Sequence, residues 1–577
     1  MALVEPLDLL PLQPILQRYA SDGRKQLLPA LFEAQRVYGF LPEAVIEAVG
    51  QGLRVPLVEI HGVIEFYAML YRRPTARTIV RVCTSPVCAQ AGGEDALAAA
   101  CHHLGSDVNE PTENGAFMVE EAPCLGLCDH APAALVGDVP VAVPDPEEAS
   151  DWIVSPKEAS LGIIGGEPRW LTERCGVIDP VDLKAYEAHG GTTSLKRALE
   201  KMSPEEVVEE IKKSGLVGRG GAAFPTGLKW EYSAATVNEP RYVVCNGDES
   251  EPGTFKDRVL MEGDPFMVIE GMVLCGYAIG SHKGYIYVRG EYPRAQRTLE
   301  EAIKLARNAG YLGENILESG FSFDVEIRSG AGAYICGEET ALFESIEGKR
   351  GYPRLKPPFP TTHGLFGQPT VINNVETLCA AVWIIGHGAQ AYRAVGTEKS
   401  PGSKLFCLSG DIGKPGVYEV PFGVQLRDLL ELAGGVQGKL QAVLIGGAAG
   451  AFAKPSQLDV QMSFEGLQSA GLSLGSGVVM AINQGRDLRQ TMLSLAHFFA
   501  HESCGKCFPC QLGTQRQLEI VAKIARGEAT TGDIAALHDV GFAMAHASIC
   551  GLGMTAAMAI LSAVERWPEL ILEDWDQ

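Results

Sequence analysis

Three groups of residues in this chain have the types and spacing that chemistry needs. The first is Cys504-Gly-Lys-Cys507-Phe-Pro-Cys510, with Cys550 forty residues further on. A comb of three thiols at C-x₂-C-x₂-C can bind three corners of a cubane cluster, and a distant thiol completes it. Structural zinc also takes four thiolates, but it more often shows two C-x₂-C pairs, so the comb favours [4Fe–4S]. The second group is Cys83-x₄-Cys88 followed by Cys124-x₃-Cys128. Two thiol pairs at element ends can hold a [2Fe–2S] rhomb. Zinc is the rival there, although its usual pair spacing is C-x₂-C. The third group is Gly218 to Trp230, GRGGAAFPTGLKW, where Arg219 alone interrupts the small residues of 218–223. Such density lets backbone approach a ligand closely and aim several N–H groups at one anion. Arg219 and Lys229 add charge for phosphate, and Phe224 offers a face to a flat ring. A plain turn can look the same, so the reading of a nucleotide or flavin cradle needs support from elsewhere.

Two more stretches supply it. Asn246-Gly-Asp248-Glu249-Ser-Glu251 follows the strand-like Arg241–Cys245. The C-terminal end of a strand in an open α/β sheet is where ligands bind. Carboxylates there could take ribose hydroxyls; a solvated acidic turn is the bland alternative. Gly330 to Leu342, GAGAYICGEETAL, reads as a tight loop opening a helix. Glu338 and Glu339 in its first turn are explained by the helix dipole alone, while Tyr334 and the glycines around it, including Gly337, favour a ligand. The remaining cysteines (Cys101, Cys175, Cys245, Cys275, Cys336, Cys379, Cys407) are scattered, as small buried apolar residues usually are.

The elements that must carry these groups follow from periodicity. Residues 1–75 read as a helical bundle, with helices ending at Gly39, over Pro42–Val49 and over Pro56–Leu70. Residues 76–150 read as a small α/β domain: the strand Arg77–Val82 runs straight into Cys83. Residues 151–202 are mixed and polar, a linker with some structure. Ser203-Pro-Glu-Glu206 starts a helix with a capping box. From there to 400, strands alternate with helices, which predicts a largely parallel α/β sheet. Residues 401–485 suggest a small β-domain, and 486–577 a helical bundle interrupted by the cysteine loop.

Formal net charge over the 577 residues is −23. That argues against nucleic acid and anionic membrane as partners. No run approaches the roughly 18 apolar residues of a membrane span. The first residues carry Glu5, Asp8 and the prolines Pro6, Pro11 and Pro14 where a signal peptide would be basic and then apolar, so a cytoplasmic, reducing compartment is expected, with thiols free of disulfides.

Together these motifs resemble the NADH-oxidising flavoprotein module of respiratory complex I and its relatives, here with the small thioredoxin-like and the large flavin subunits joined head to tail. The resemblance spans residues 15 to 145 and 200 to 565. It implies a multidomain α/β fold: a helical bundle with a thioredoxin-like [2Fe–2S] domain, a Rossmann-like flavin domain, a ubiquitin-like β-domain and a C-terminal helical bundle with [4Fe–4S]. The cofactors implied are FMN, NAD(H), [2Fe–2S] and [4Fe–4S]. GRGGAAFPTGLKW matches the family's GRGGAGFPTG loop, with Ala223 in place of a glycine. The resemblance gives Gly218, Arg219, Gly220, Gly221 and Lys229 contacts to FMN and NADH. It places Asn246, Asp248 and Glu249 in the flavin loop, and Glu251 at NADH. Tyr334, Gly337 and Glu338 would lie near flavin and Glu339 near NADH. Asn373, Asn374 and Thr377, in a match to VNNVETL, would contact FMN. Phe224, Tyr232 and Phe359 would stack around adenine, with Lys356 close by. No side chain need act as acid or base, since the chemistry is hydride transfer at the flavin.

The same module serves complex I, NAD-reducing hydrogenases and NAD-dependent formate dehydrogenases. A fused chain is similar to the diaphorase (β) subunit of some bacterial molybdenum or tungsten formate dehydrogenases. Fused hydrogenase diaphorases of this type have lost N-terminal cysteines, whereas all four remain here. The resemblance therefore implies a partner: a Mo- or W-containing large subunit with further iron–sulfur clusters, where formate is oxidised. A relay or docking subunit without a working flavin site is the non-enzymatic alternative.

Overall fold

The computed structural model describes residues 7–570. In the N-terminal segment the helices Leu27–Tyr38, Glu43–Leu53 and Leu57–Ile64 bury an aliphatic stripe that includes Leu31, Ile46, Val49 and Ile60. The first stops at Gly39, which takes φ 80° as a helix-ending glycine does. The third stops at Ile64, short of the Leu70 read from periodicity. Beyond it the chain meets a partner loop: Ala68 N donates to Gly332 O and Met69 N to Ala331 O. Backbone groups that a longer helix would have paired internally thus brace a loop of another domain.

The next unit is a four-stranded sheet of β1 (Thr78–Cys83), β2 (Phe117–Ala122), β3 (Ala133–Val136) and β4 (Val139–Ala142), in the order β2-β1-β3-β4. The β1–β2 pair is parallel and the others antiparallel. β1 and β2 both end at cysteine-bearing turns.

Residues 151–202, expected as a linker, are built into both neighbours. β5 (Ile163–Gly165) pairs with a strand of the later β-domain. The helix Thr193–Lys201 packs on the helix Val375–His387. Buried Glu419 anchors the segment by accepting from Leu171 N, Thr172 N and Thr172 Oγ1. Polar composition hid this because its partners lie more than 200 residues away.

The central sheet holds β6 (Tyr242–Gly247), β7 (Lys283–Val288), β8 (Asp324–Ser329) and β9 (Thr370–Asn374), all parallel, in the order β8-β7-β6-β9. The helix Pro265–Ile279 is apolar nearly all round and buried along almost its whole length. All four strands deliver their C-terminal ends to one edge. A six-stranded mixed sheet follows, with β10 (Ser403–Gly410), β11 (Gly416–Pro421), β12 (Leu440–Ile445), β13 (Ala451–Ala453) and β14 (Val478–Asn483) joined by β5 at one margin. The C-terminal helices Leu488–Glu502, Phe508–Ala525, Thr531–Ala547 and Met558–Arg566 close the chain. Among the described residues no helix is long and apolar enough to cross a membrane.

Candidate active site and iron–sulfur centres

The glycine loop is a closed hairpin beside the C-terminal edge of the parallel sheet. Gly218 N donates to Phe224 O and Thr226 N to Leu216 O, so the base is tied and the small residues project. Gly220 and Gly221 are exposed at the tip. A side chain on Gly220 would stand 3.2 Å from Asn374 Cβ, so the tip approaches β9 closely enough that a larger residue would press on Asn374. Ala223 takes φ 52°, a left-handed conformation at the position where the glycine of the motif is replaced.

The strand ends complete the cradle. Asn246 Nδ2 donates to Gly337 O at 2.9 Å, tying the loop after β6 to the loop after β8. Asp248 Oδ2 is buried without a partner, and burial pushes its carboxyl well above the usual range. A buried orphan acceptor of this kind is costly unless a ligand satisfies it. Lys229 Nζ donates to Ile372 O at 2.9 Å and stands 3.9 Å from Glu339. Burial lowers the Lys229 ammonium, and Glu339 partly restores it. Lys356 bridges Glu338 at 3.0 Å and Glu339 at 2.7 Å. Glu338 itself caps the helix Glu339–Ile346 through Thr340 N and Ala341 N. Glu251 accepts from the Tyr334 hydroxyl and, at 2.8 Å, from Ala449 N. Phe224, Tyr232 and Phe359 are each about half exposed, at 45%, 51% and 57%, and so free to stack on a ring.

Four residues expected at the ligand are instead used by the frame. The Arg219 guanidinium is 2% exposed and turned away from the loop. It donates to Tyr392 Oη at 2.6 Å and to Pro401 O, and lies over Phe422. Only its backbone serves the loop, donating to Thr377 Oγ1. Glu249 is consumed in capping the helix Lys256–Gly263, accepting from Asp257 N and Arg258 N. Asn373 Oδ1 accepts from Trp230 Nε1 at 2.9 Å. Thr377, Asn373 and Glu249 are all buried. Side-chain direction at these positions depends on neighbours remote in sequence. Asn374 does both jobs: its Nδ2 holds Asp257 at 2.6 Å while its Cβ faces Gly220.

The β-domain contributes residues that the sequence did not flag. The loop Gly446–Gly450 after β12 presses on Glu251, and a side chain on Gly447 would stand 2.7 Å from Glu251 Cγ. The run Gly-Gly-Ala-Ala-Gly was the available signal, but it lies about 200 residues from the carboxylate it meets.

The thiols form two sets. Cys83, Cys88, Cys124 and Cys128 are all buried, and Cys83 and Cys88 pack with Leu125, Leu127 and Ala133. Hydrogen bonding from Cys128, helped by the charge of Arg289, pulls the Cys124 thiol down to about 6. Cys504, Cys507, Cys510 and Cys550 line one small cavity with Ile335, Pro353 and Ser503. Cys507 and Cys550 each stand at the start of a helix. Burial pushes the Cys510 and Cys550 thiols up, to about 11 and about 12. Four soft ligands around a common space, as at Cys504, Cys507, Cys510 and Cys550, suit an iron–sulfur cluster, which requires thiolates. The remaining cysteines are buried, apart from half-buried Cys101.

Both thiol sets reach the same cradle. The guanidinium of Arg289 joins Cys124 O to Glu249 O. Glu502, two residues before Cys504, accepts from Tyr334 N at 3.0 Å. Residues 211–383 match the Nuo51 FMN-binding domain, 12–155 the thioredoxin-like [2Fe–2S] ferredoxin, and 490–574 the NADH-ubiquinone oxidoreductase-F iron–sulfur binding region. A NADH-quinone oxidoreductase F-type subunit of Rhizobium meliloti is 47% identical over 67% of this chain and 92% of its own length. The chain belongs to the family of NADH-quinone oxidoreductase F-type subunits. The NAD-reducing hydrogenase HoxS alpha subunit of Cupriavidus necator is 37% identical over 96% of this chain and 93% of its own. A crystal structure of an NAD⁺-reducing [NiFe]-hydrogenase in the H₂-reduced state superposes with TM-score 0.85 at 34% identity, covering 96% of this chain and 94% of that one. The multidomain α/β fold expected from the sequence is therefore borne out, as are FMN, [2Fe–2S] and [4Fe–4S], with NAD(H) as substrate. As a member of that family with a fused [2Fe–2S] unit, the chain is an NAD-dependent flavin and iron–sulfur oxidoreductase.

Proposed function

We propose that this chain is the diaphorase subunit of a cytoplasmic NAD⁺-dependent formate dehydrogenase. The observation that carries the electron-transfer reading is that one cradle is hydrogen-bonded to the segments that carry both thiol sets, through Arg289 on one side and Glu502 on the other. FMN, when bound, would supply the conversion between the electron pair of NAD(H) and the single electrons that iron–sulfur clusters carry. The residues supply position and charge. Gly220, Gly221, Lys229, Asn246, Asp248 and Asn374 would hold FMN. Glu251, Glu339 and Lys356 would take the ribose and polar atoms of NAD(H), with Phe224, Tyr232 and Phe359 around adenine. The non-enzymatic relay reading predicts no flavin; an absorbance band at about 450 nm, bleached by NADH, separates the two.

Support for formate dehydrogenase is the fused arrangement with all four N-terminal cysteines kept and each of them buried. The partner would be a Mo- or W-containing large subunit with further clusters. Similarity to a hydrogenase chain along nearly the full length favours a second reading, in which the partner carries nickel and oxidises hydrogen. Affinity purification of the native complex decides: formate-driven NAD⁺ reduction with Mo or W in the sample is expected, and hydrogen-driven reduction with nickel would overturn it.

Glu251 would face the 2′ position of the ribose, where a carboxylate repels a 2′-phosphate. Glu251→Gln is expected to raise the NADPH/NADH ratio of kcat/KM by roughly 10-fold or more, the scale of one lost charge repulsion of about 1.4 kcal/mol. Steady-state assays with both nucleotides check this; an unchanged ratio removes Glu251 from that role.

A further inference from the structure

Arg289 follows β7 directly and is 2% exposed. Its Nη2 donates to Cys124 O at 2.6 Å and its Nη1 to Glu249 O at 2.8 Å. The Glu291 carboxylate closes the fork, accepting from Nη2 at 2.8 Å and Nε at 3.1 Å. Tyr292 backs the same point, its hydroxyl donating to Glu249 O. A single guanidinium thus joins the loop that carries two of the thiols to the loop that carries Asp248 and Glu251.

Two neutral donors would have sufficed for two carbonyls. Burying a permanent charge is expensive unless negative charge faces it. Glu291 supplies part of that charge; the thiolates of the cysteine quartet, one peptide away, supply the rest. Arg258, on the helix Lys256–Gly263, differs. Arg258 Nη2 is held by both oxygens of Asp129, at 2.8 and 2.9 Å, and Nη1 by Glu262. Two carboxylates thus face Arg258, whose Nε donates to Gly126 O at 3.0 Å, whereas Arg289 is faced by one, Glu291, and reaches the carbonyl of a thiol-bearing residue itself.

We propose that Arg289 is a positioning residue that sets the reduction potential of the [2Fe–2S] centre and keeps its loop in register with the nucleotide loop, with Glu291 as the counter-charge. Reduction adds one negative charge to a buried, thiolate-bound iron pair. A cation within hydrogen-bonding distance of a ligand's own carbonyl stabilises the reduced form and raises the potential, and a nearby carboxylate lowers it. Through the Glu249 carbonyl the same group fixes the distance across which electrons pass. The proposal rests on the [2Fe–2S] assignment of the quartet, not on which partner the chain has.

The test is a redox titration of the purified holoprotein followed by electron paramagnetic resonance, reading both clusters in each sample. Arg289→Gln is expected to shift the [2Fe–2S] midpoint down. Glu291→Gln is expected to shift it up, and Arg289→Lys, which keeps the charge, to leave it near the native value. The [4Fe–4S] midpoint stays put in all three and serves as the internal control. Opposite signs at adjacent residues are what structural damage alone would not give. An unshifted midpoint in Arg289→Gln, or shifts of the same sign in both Gln variants, would overturn the proposal. If Arg289→Gln loses the centre, Glu291→Gln still decides, because only an upward shift is compatible. A wild-type sample without a [2Fe–2S] signal would instead remove the cluster assignment, and the proposal with it.

Discussion

Glu376→Gln is expected to destabilise the folded chain by about 3–5 kcal/mol and to lower its FMN content. The size follows from what that carboxylate does. Glu376 is fully buried and receives Lys404 Nζ at 2.6 Å, Lys256 Nζ at 3.0 Å and Leu405 N at 3.0 Å. Both lysines are 1% exposed. Removing the charge leaves two buried ammonium groups of which only Lys256 keeps a carboxylate, Asp257 at 2.8 Å, and a buried ion that loses its partner costs on that scale. The same network reaches the cradle, since Asp257 also holds Asn374. Burial pulls the Lys404 ammonium down to about 8, Glu376 opposing. In the variant Lys404 falls further, so the folded state gives up a proton that the unfolded chain keeps. Stability of the variant then rises with pH below about 8, where the wild type is level in this group. The deficit should therefore narrow as pH climbs toward about 8. Denaturant titration at several pH values, with flavin absorbance on the same samples, checks both points; a loss under about 1 kcal/mol would show that the charge is dispensable.

Gly126→Ala is expected to lift the [2Fe–2S] loop off the flavin domain. Gly126 sits at φ 62°, where alanine is strained. An added Cβ would stand 2.0 Å from Tyr292 Oη and 2.6 Å from Tyr292 Cε1. Tyr292 cannot yield cheaply: it is 2% exposed and hydrogen-bonded to Glu249. Overpacking of this kind costs about 1–3 kcal/mol, to which the backbone strain adds roughly 1 kcal/mol. The readout separates local from global damage. NADH oxidation by a small artificial acceptor should stay within about twofold, because the cradle is untouched, while reduction of the [2Fe–2S] centre by NADH slows at least tenfold, the scale of about 1.4 kcal/mol. Adding Tyr292→Phe, which removes the closest atom, should recover part of that rate. Native transfer in the single variant would mean that the loop tolerates displacement.

These two sites show where sequence reading reaches and where it stops. The cysteine groups were legible because ligand spacing is local: Cys504, Cys507 and Cys510 fall within seven residues where a loop enters a helix, Cys83 ends β1 and Cys124 follows β2. The glycine loop and the acidic run after β6 were legible for the same reason, as was the capping box at Ser203, whose two hydrogen bonds are both present. Less legible was the segment 151–202. Its strand Ile163–Gly165 has only three residues and forms only because β11 offers an edge.

By itself, then, the sequence determined the ligand types, their number, the order of the units and the general place of the cradle. All of these are written in spacings of a few residues. Tertiary structure alone decided which way side chains face. Arg219 turns to Tyr392 and Pro401, Glu249 caps a helix, and Asn373 and Thr377 brace Trp230 and the glycine loop. It also brought Arg289 to Cys124, 165 residues away, and Ala449 to Glu251, 198 residues away. A side chain's partners are set by the elements packed against it, and no local period of a helix or strand encodes a neighbour that distant.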